Sequence, residues 1–300
     1  MPDDHRYFLR SKSKSQSTQT ECLSTIVFTE QGLALFSDLI PECDLNNYWV
    51  PAVWPVGKEQ RGQCCGLYAL DTGLDHGFGR ADIPTPPARK NGKKNVVSLR
   101  EFAKQKSLSA FGEIFSVKSL KKIADHFKFP NCEIIKPNQH DEESYTKTIC
   151  DKLRNECVIV TSLDMKGSFP SAAKGLGTHW VLIFGYVYHE GECFFLASQW
   201  GLNFLFPAKK LFLSNQQLPH DNPRVYPDYI YYKNAKKGTE YYRKKTKRDH
   251  IESMDVRYAI GDTLEEFRFS LFCIPVVDAP SCVDLKKWLM EEGIKPKCST

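Results

Sequence analysis

The sequence predicts an α+β protein, with a helical half ahead of a half built on antiparallel sheet. Three observations predict it. Past Gly66, residues Leu67, Leu70 and Leu74 recur at three- and four-residue spacing, the period of a helix with one buried face. The same period returns between Val97 and Phe129, first in Leu99, Phe102 and Ala103, then in Val117, Leu120, Ile123, Ala124 and Phe127. Further along, short apolar runs take over, Cys157-Val158-Ile159-Val160, Trp180-Val181-Leu182-Ile183-Phe184 and Cys193-Phe194-Phe195-Leu196-Ala197, as buried strands require.

With 300 residues, 41% of them apolar, the chain suits one large domain or a domain with an extension. No apolar run reaches the roughly 20 residues that span a bilayer. The first residues, MPDDHRYFLRSKSKSQSTQT, lack the apolar centre of a signal peptide, so the sequence predicts a soluble, unsecreted protein, cytosolic or nuclear. Eleven cysteines without a repeated spacing point to reduced thiols rather than a disulfide framework. Without any C-x-x-C pair, a structural zinc site is not expected. A net charge of +5 favours an acidic partner without demanding nucleic acid.

Taken in order, residues 1–21 read as a disordered tail, 22–218 as the main domain, and 219–300 as a basic insertion followed by a strand and helix that complete it. Cys22 to Val56 holds enough apolar surface, including Tyr48, Trp49 and Trp54, to pack against the domain. Residues 79–97, with three prolines and five basic residues, read as an exposed loop. Ser116 or Ser119 would cap the second helix of the 97–129 segment. Cys132–Lys136 reads as a short strand and Tyr145–Asn155 as a helix feeding the strand Cys157–Val160. The Tyr/Lys-rich stretch around 233–248 reads as a solvated insertion, with RNA binding the lesser reading. Phe267–Pro275 reads as a strand closing the sheet, and Val283–Glu292 as a last helix.

Chemistry concentrates in two segments. The first is Gln60-Arg61-Gly62-Gln63-Cys64-Cys65-Gly66-Leu67, which puts Cys65 at the N-terminus of a helix. There the unpaired N–H groups and the positive end of the helix dipole favour thiolate over thiol. Gly66 would leave room for a substrate backbone. Gln60, or else Gln63, could aim its amide at a developing oxyanion beside the Cys65 N–H. The second is Gly175-Leu176-Gly177-Thr178-His179-Trp180, a glycine-led approach to a strand that His179 would open. An imidazole held there can serve as general base to a thiol. A cysteine on the first helix and a histidine on a later strand, more than a hundred residues on, is the papain-like order. Gln199 follows the next strand and is the candidate to orient the imidazole, with Asn203 as its substitute. Against this stands the plainer reading, in which the cysteine is a small core residue and the histidine fills a strand edge.

Four segments, QCCGLYALDTG, SAFGEIFSVKSLKKIADHF, KGLGTHWVLIFGY and ASQWGLNFLFPAKKLFLSNQQL, together resemble the actin maturation protease family of papain-like cysteine peptidases. The resemblance spans roughly Glu59 to Leu218. It implies a papain-like cysteine protease fold and removal of the acetylated N-terminal Met or Cys of actin, in the cytoplasm, without a metal or cofactor. Residue by residue, it implies Cys65 as nucleophile, His179 as base and Gln60 as oxyanion donor; the third member, Gln199 or another, it leaves open. The long proline run with which some members engage profilin is absent here, so the resemblance implies actin as partner and leaves profilin open. Two further readings compete: the same pair acting on another peptide or isopeptide, and an inactive module that binds actin or RNA.

Overall fold

The structure is a computed structural model that describes residues 27–28, 43–51, 54–58, 60, 64–79, 98–106, 108–109, 114, 116–166, 169–171, 178–218, 229–234, 239–244 and 268–277. The tail, the loop after residue 79 and the helix expected at 283–292 lie outside these residues.

Nine strands form one sheet in which every described pairing is antiparallel. The strands are β1 (Val27–Phe28), β2 (Cys43–Trp49), β3 (Glu133–Ile135), β4 (Cys157–Lys166), β5 (Phe169–Pro170), β6 (Thr178–His189), β7 (Glu192–Gln199) and β8 (Leu202–Pro207), with β11 (Leu271–Pro275) near the C-terminus. The main order is β1-β8-β7-β6-β4-β11-β3, with β2 added on β6 and β5 on β4. Strands β9 (Tyr229–Asn234) and β10 (Thr239–Lys244) form a separate hairpin in the basic segment. The described helices are α1 (Cys65–Phe78), α2 (Leu99–Gln105), α3 (Val117–His126), α4 (Glu142–Arg154) and α5 (Ala208–Gln216).

The α+β class holds, but the helices do not form a half of their own. Helices α1, α2 and α3 share one buried cluster with Val158, Val160, Leu182, Phe184, Leu196 and Phe272. Helices α4 and α5 share another with Ile159, Val181, Ile183, Phe195, Phe204 and Leu271. Alternate residues of β4, β6 and β7 therefore enter opposite clusters, and the sheet is covered on both faces. That is why these strands read as continuous apolar runs rather than as alternations.

Several boundaries differ from expectation. Helix α4 starts three residues before Tyr145, because Asp141 caps it: its Oδ1 accepts the Glu143 N–H at 3.0 Å. The polar first turn, Glu142-Glu143-Ser144, carries no apolar period to reveal it. Ser116, not Ser119, caps α3, accepting the Lys118 N–H at 3.1 Å. Strand β4 runs on to Lys166, and β6 begins at Thr178, so His179 is its second residue. Strand β11 does not close the sheet but lies between β4 and β3. Helix α5 and strand β8 are additional elements, absent from the sequence reading.

Helix α1 lies unusually close to the sheet. A Cβ on Gly73 would come within 2.7 Å of Ile274 Cδ1, and one on Gly77 within 2.6 Å of the Pro275 carbonyl oxygen. Glycines on the sheet-facing side thus let the backbone of α1, and the cysteine at its head, approach the strands.

Candidate functional site

Cys65 is the first residue of α1, and no side chain caps the helix end: the N-cap residue is Cys64, whose carbonyl accepts the Tyr68 N–H at 3.0 Å. Cys65 is only 4% exposed. Beside the helix N-terminus, Trp180 of β6 donates its indole Nε1–H to the Ile114 carbonyl at 2.7 Å. A Cβ on Gly66 would lie 3.0 Å from Ile114 Cβ and 3.1 Å from Trp180 Cδ1. The space left by this glycine is therefore taken by the protein's own core, which corrects the expectation that it admits a substrate backbone.

Cys65, His179, Gln60 and Gln199 all line one narrow cleft. The segment before α1 supplies Gly57, Lys58 and Gln60; α1 supplies Cys65, Tyr68, Ala69 and Thr72; β6 supplies His179 and Trp180. The end of β7 and its turn into β8 supply Ser198, Gln199, Trp200 and Gly201. Gln63, the alternative to Gln60, lies outside the described residues. Asn203, the alternative to Gln199, pairs with Ser198 and Phe28 in the sheet and is not among the residues lining the cleft.

His179 is buried, and its Nε2 has no hydrogen-bond partner. Burial disfavours the imidazolium and pushes its pKa down to about 3, so the ring is neutral at physiological pH. Beside it stands Trp200, with ring centroids 4.7 Å apart. Trp200 and Gly201 are the two central residues of the β7–β8 hairpin, at φ 51° and 80°. Positive φ at both positions is what a two-residue hairpin turn of the right twist demands. Glycine meets that demand freely, whereas tryptophan does so under strain.

An ion-pair cluster that joins the cleft through Lys58 was not foreseen from the sequence. Lys58 Nζ donates to Asp71 Oδ2 at 2.7 Å and also to Asp75. Asp71 is fully buried on α1, and its Oδ1 has no hydrogen-bond partner. Burial raises the Asp71 carboxyl to about 6 despite the opposing pull of Lys58. Burial alone would depress the Lys58 ammonium, yet its two carboxylate partners outweigh that and raise its pKa. The signal in the sequence is an aspartate between Leu70 and Leu74, inside the apolar stripe of α1.

Among the described residues no group of three or more His, Cys, Asp or Glu side chains is placed to hold a metal ion, and no helix is long and apolar enough to cross a membrane. What the cleft offers is a thiol at a helix N-terminus, a neutral imidazole with an open nitrogen, and two side-chain amides. No curated protein and no solved structure matches the chain. Residues 57–187 do match a family model, described as the actin maturation protease-like, C-terminal domain. That stretch begins in the segment that supplies Lys58 and Gln60 and runs through α1 and nearly all of β6, so the part of the chain that carries Cys65 and His179 is similar to the actin maturation protease-like family.

Proposed function

We propose that this protein is a papain-like cysteine aminopeptidase that removes the acetylated N-terminal residue of actin. The observation that carries the reading is the meeting in one cleft of Cys65, at an uncapped helix N-terminus, with His179, whose buried Nε2 has no partner. The family of residues 57–187 supports a protease with a connection to actin. The free cysteines of the described residues are compatible with work in the cytoplasm. We read 22–218, completed by the C-terminal strand β11, as the protease domain.

In the mechanism, the Cys65 sulfur attacks the carbonyl carbon of the acetylated terminal residue while its proton passes to His179. Because burial keeps His179 neutral at rest, the proton moves with the attack rather than being stored beforehand in an imidazolium. The tetrahedral oxyanion is held by the Cys65 N–H and the Gln60 amide. Collapse breaks the C–N bond, and His179 returns its proton to the leaving amine, the new N-terminus of the shortened chain. Water, deprotonated by His179, then hydrolyses the thioester and releases the acetylated amino acid. Gln199 orients the imidazole, and Trp200 covers it.

The test is mass spectrometry of actin with an intact acetylated N-terminus, incubated with the wild-type protein and with Cys65→Ala. Loss of one acetylated residue with the wild type alone is the expected result. An unchanged rate in Cys65→Ala would refute the mechanism. An intact substrate in both, with a reactive Cys65, would keep the hydrolase and discard actin.

A further inference from the structure

The Lys58 ammonium reaches away from its own segment to two carboxylates on α1, Asp71 and Asp75. Two residues further along the same segment is Gln60, which lines the cleft with Cys65. One residue earlier is Gly57, pressed so closely on the β7–β8 turn that a Cβ there would sit 2.9 Å from Gly201 Cα and 3.0 Å from Ser198 Oγ. The segment is therefore held from two sides, by ion pairs to the nucleophile's helix and by backbone contact with the turn that carries Trp200. Stability alone is a poor reason for this arrangement. Burying Asp71 carries a desolvation cost that an apolar residue would avoid, and an ion pair in such a place seldom repays it. What it does supply is a fixed geometry between segment 57–60 and α1.

We propose that Lys58 is a positioning residue: its clasp on Asp71 and Asp75 sets the Gln60 amide against the Cys65 oxyanion site. The proposal rests on the proposed function above for its catalytic half, while its structural half stands by itself. An oxyanion donor must be placed where charge develops before the reaction begins, and a donor on an unanchored segment loses most of its effect.

Three variants test it. Lys58→Met keeps the apolar stem and removes the ammonium, Lys58→Arg keeps a cation for both carboxylates, and Lys58→Met with Asp71→Asn leaves no unpaired buried carboxylate if the single variant folds poorly. Hydrogen exchange of the peptide containing residues 57–60 is the readout that needs no substrate. It is expected to speed up in Lys58→Met and in the double variant and to stay near wild type in Lys58→Arg. With acetylated actin, kcat is expected to fall roughly 10–100-fold in Lys58→Met with KM within about threefold, to recover in Lys58→Arg, and to fall no further when Lys58→Met is added to Gln60→Ala. Unchanged exchange in Lys58→Met and in the double variant would overturn the clasp whatever the activity. Altered exchange with a full additional loss of kcat in the Gln60→Ala background would overturn its action through Gln60. A responsive clasp in a wild-type protein that leaves actin intact would refute the actin reading and the catalytic half, and would leave the clasp itself standing.

Discussion

Trp200 occupies a left-handed backbone conformation that a bulky side chain adopts only at a cost of about 1 kcal/mol or more, and its ring lies against His179. The two facts make opposite demands on a substitution. Trp200→Gly is expected to relieve the backbone while stripping the cover from the imidazole, so that kcat for actin processing falls at least tenfold although the thermal midpoint drops by less than loss of a large aromatic would predict. Paired melting curves and steady-state kinetics check this. Gln60→Ala removes the proposed side-chain oxyanion donor and is expected to lower kcat by about 10²–10³ with little change in KM, measured on the same substrate. The lining of the cleft was largely legible residue by residue, because Cys65, His179 and Gln199 sit at or next to element ends that local pattern reveals and Gln60 lies shortly ahead of the cysteine's helix. Lys58 and Asp71 were not, because their partnership spans 13 residues and joins a segment without periodicity to the buried side of a helix. Nor was the role of Gly66, whose open side could not be assigned to Trp180 and Ile114 before the two were seen packed on it.

At the scale of elements, α1 is the part on which position matters most, since it carries the proposed nucleophile at one end and lies closely on the sheet along its length. Gly77 shows how closely. An added Cβ would meet the Pro275 carbonyl oxygen, a backbone atom in β11 that has no rotamer to escape into. Gly77→Ala is expected to destabilise the fold by about 1–2 kcal/mol even after alanine's better helix propensity is allowed for, read as a lower denaturant midpoint. Because Gly77 is three turns from Cys65, the folded fraction is expected to keep the wild-type kcat in the proposed reaction. The sequence revealed α1, α3 and the buried strands through their periods, yet it hid helix α5 and the first turn of α4. In α4 a capped polar turn replaced the apolar signal. In α5, Leu211 and Phe212 are buried but the nine-residue helix is too short for its period to stand out.

At the scale of the whole molecule, one sheet serves two clusters of core residues, and the neutral, buried His179 ties its stability to pH. Its folded pKa, about 3, lies below the unfolded value of 6.5, so as pH falls through 6.5 the unfolded chain binds the proton first. Stability is therefore lost on acidification from 6.5 towards 3, at about 1.4 kcal/mol per pH unit, and that loss is complete below 3. Asp71 acts in the opposite sense: its carboxyl, about 6 when folded and 3.8 in isolation, favours the folded state as pH falls between those values. The two largely cancel from 6 to 3.8. Asp71→Asn is accordingly expected to steepen the acid side of the stability curve in that window, and His179→Gln to flatten it, measured by denaturant unfolding at stepped pH. The arrangement of helices on both faces was the part least legible in the sequence, because a strand buried on two sides and a strand buried on one are both apolar where they are read most easily.

The central claim is that Cys65 is an activated nucleophile served by His179, and it is tested most directly by site-resolved alkylation. The protein would be treated with iodoacetamide near neutral pH and the modified cysteines quantified by peptide mass spectrometry, in the wild type and in His179→Ala. Cys132, whose thiol burial pushes up to about 12, and the buried Cys273 serve as internal controls. Cys65, despite its 4% exposure, is expected to react well ahead of both and to slow in His179→Ala. A Cys65 that reacts no faster than Cys132 and Cys273, or that is indifferent to the loss of His179, would contradict it.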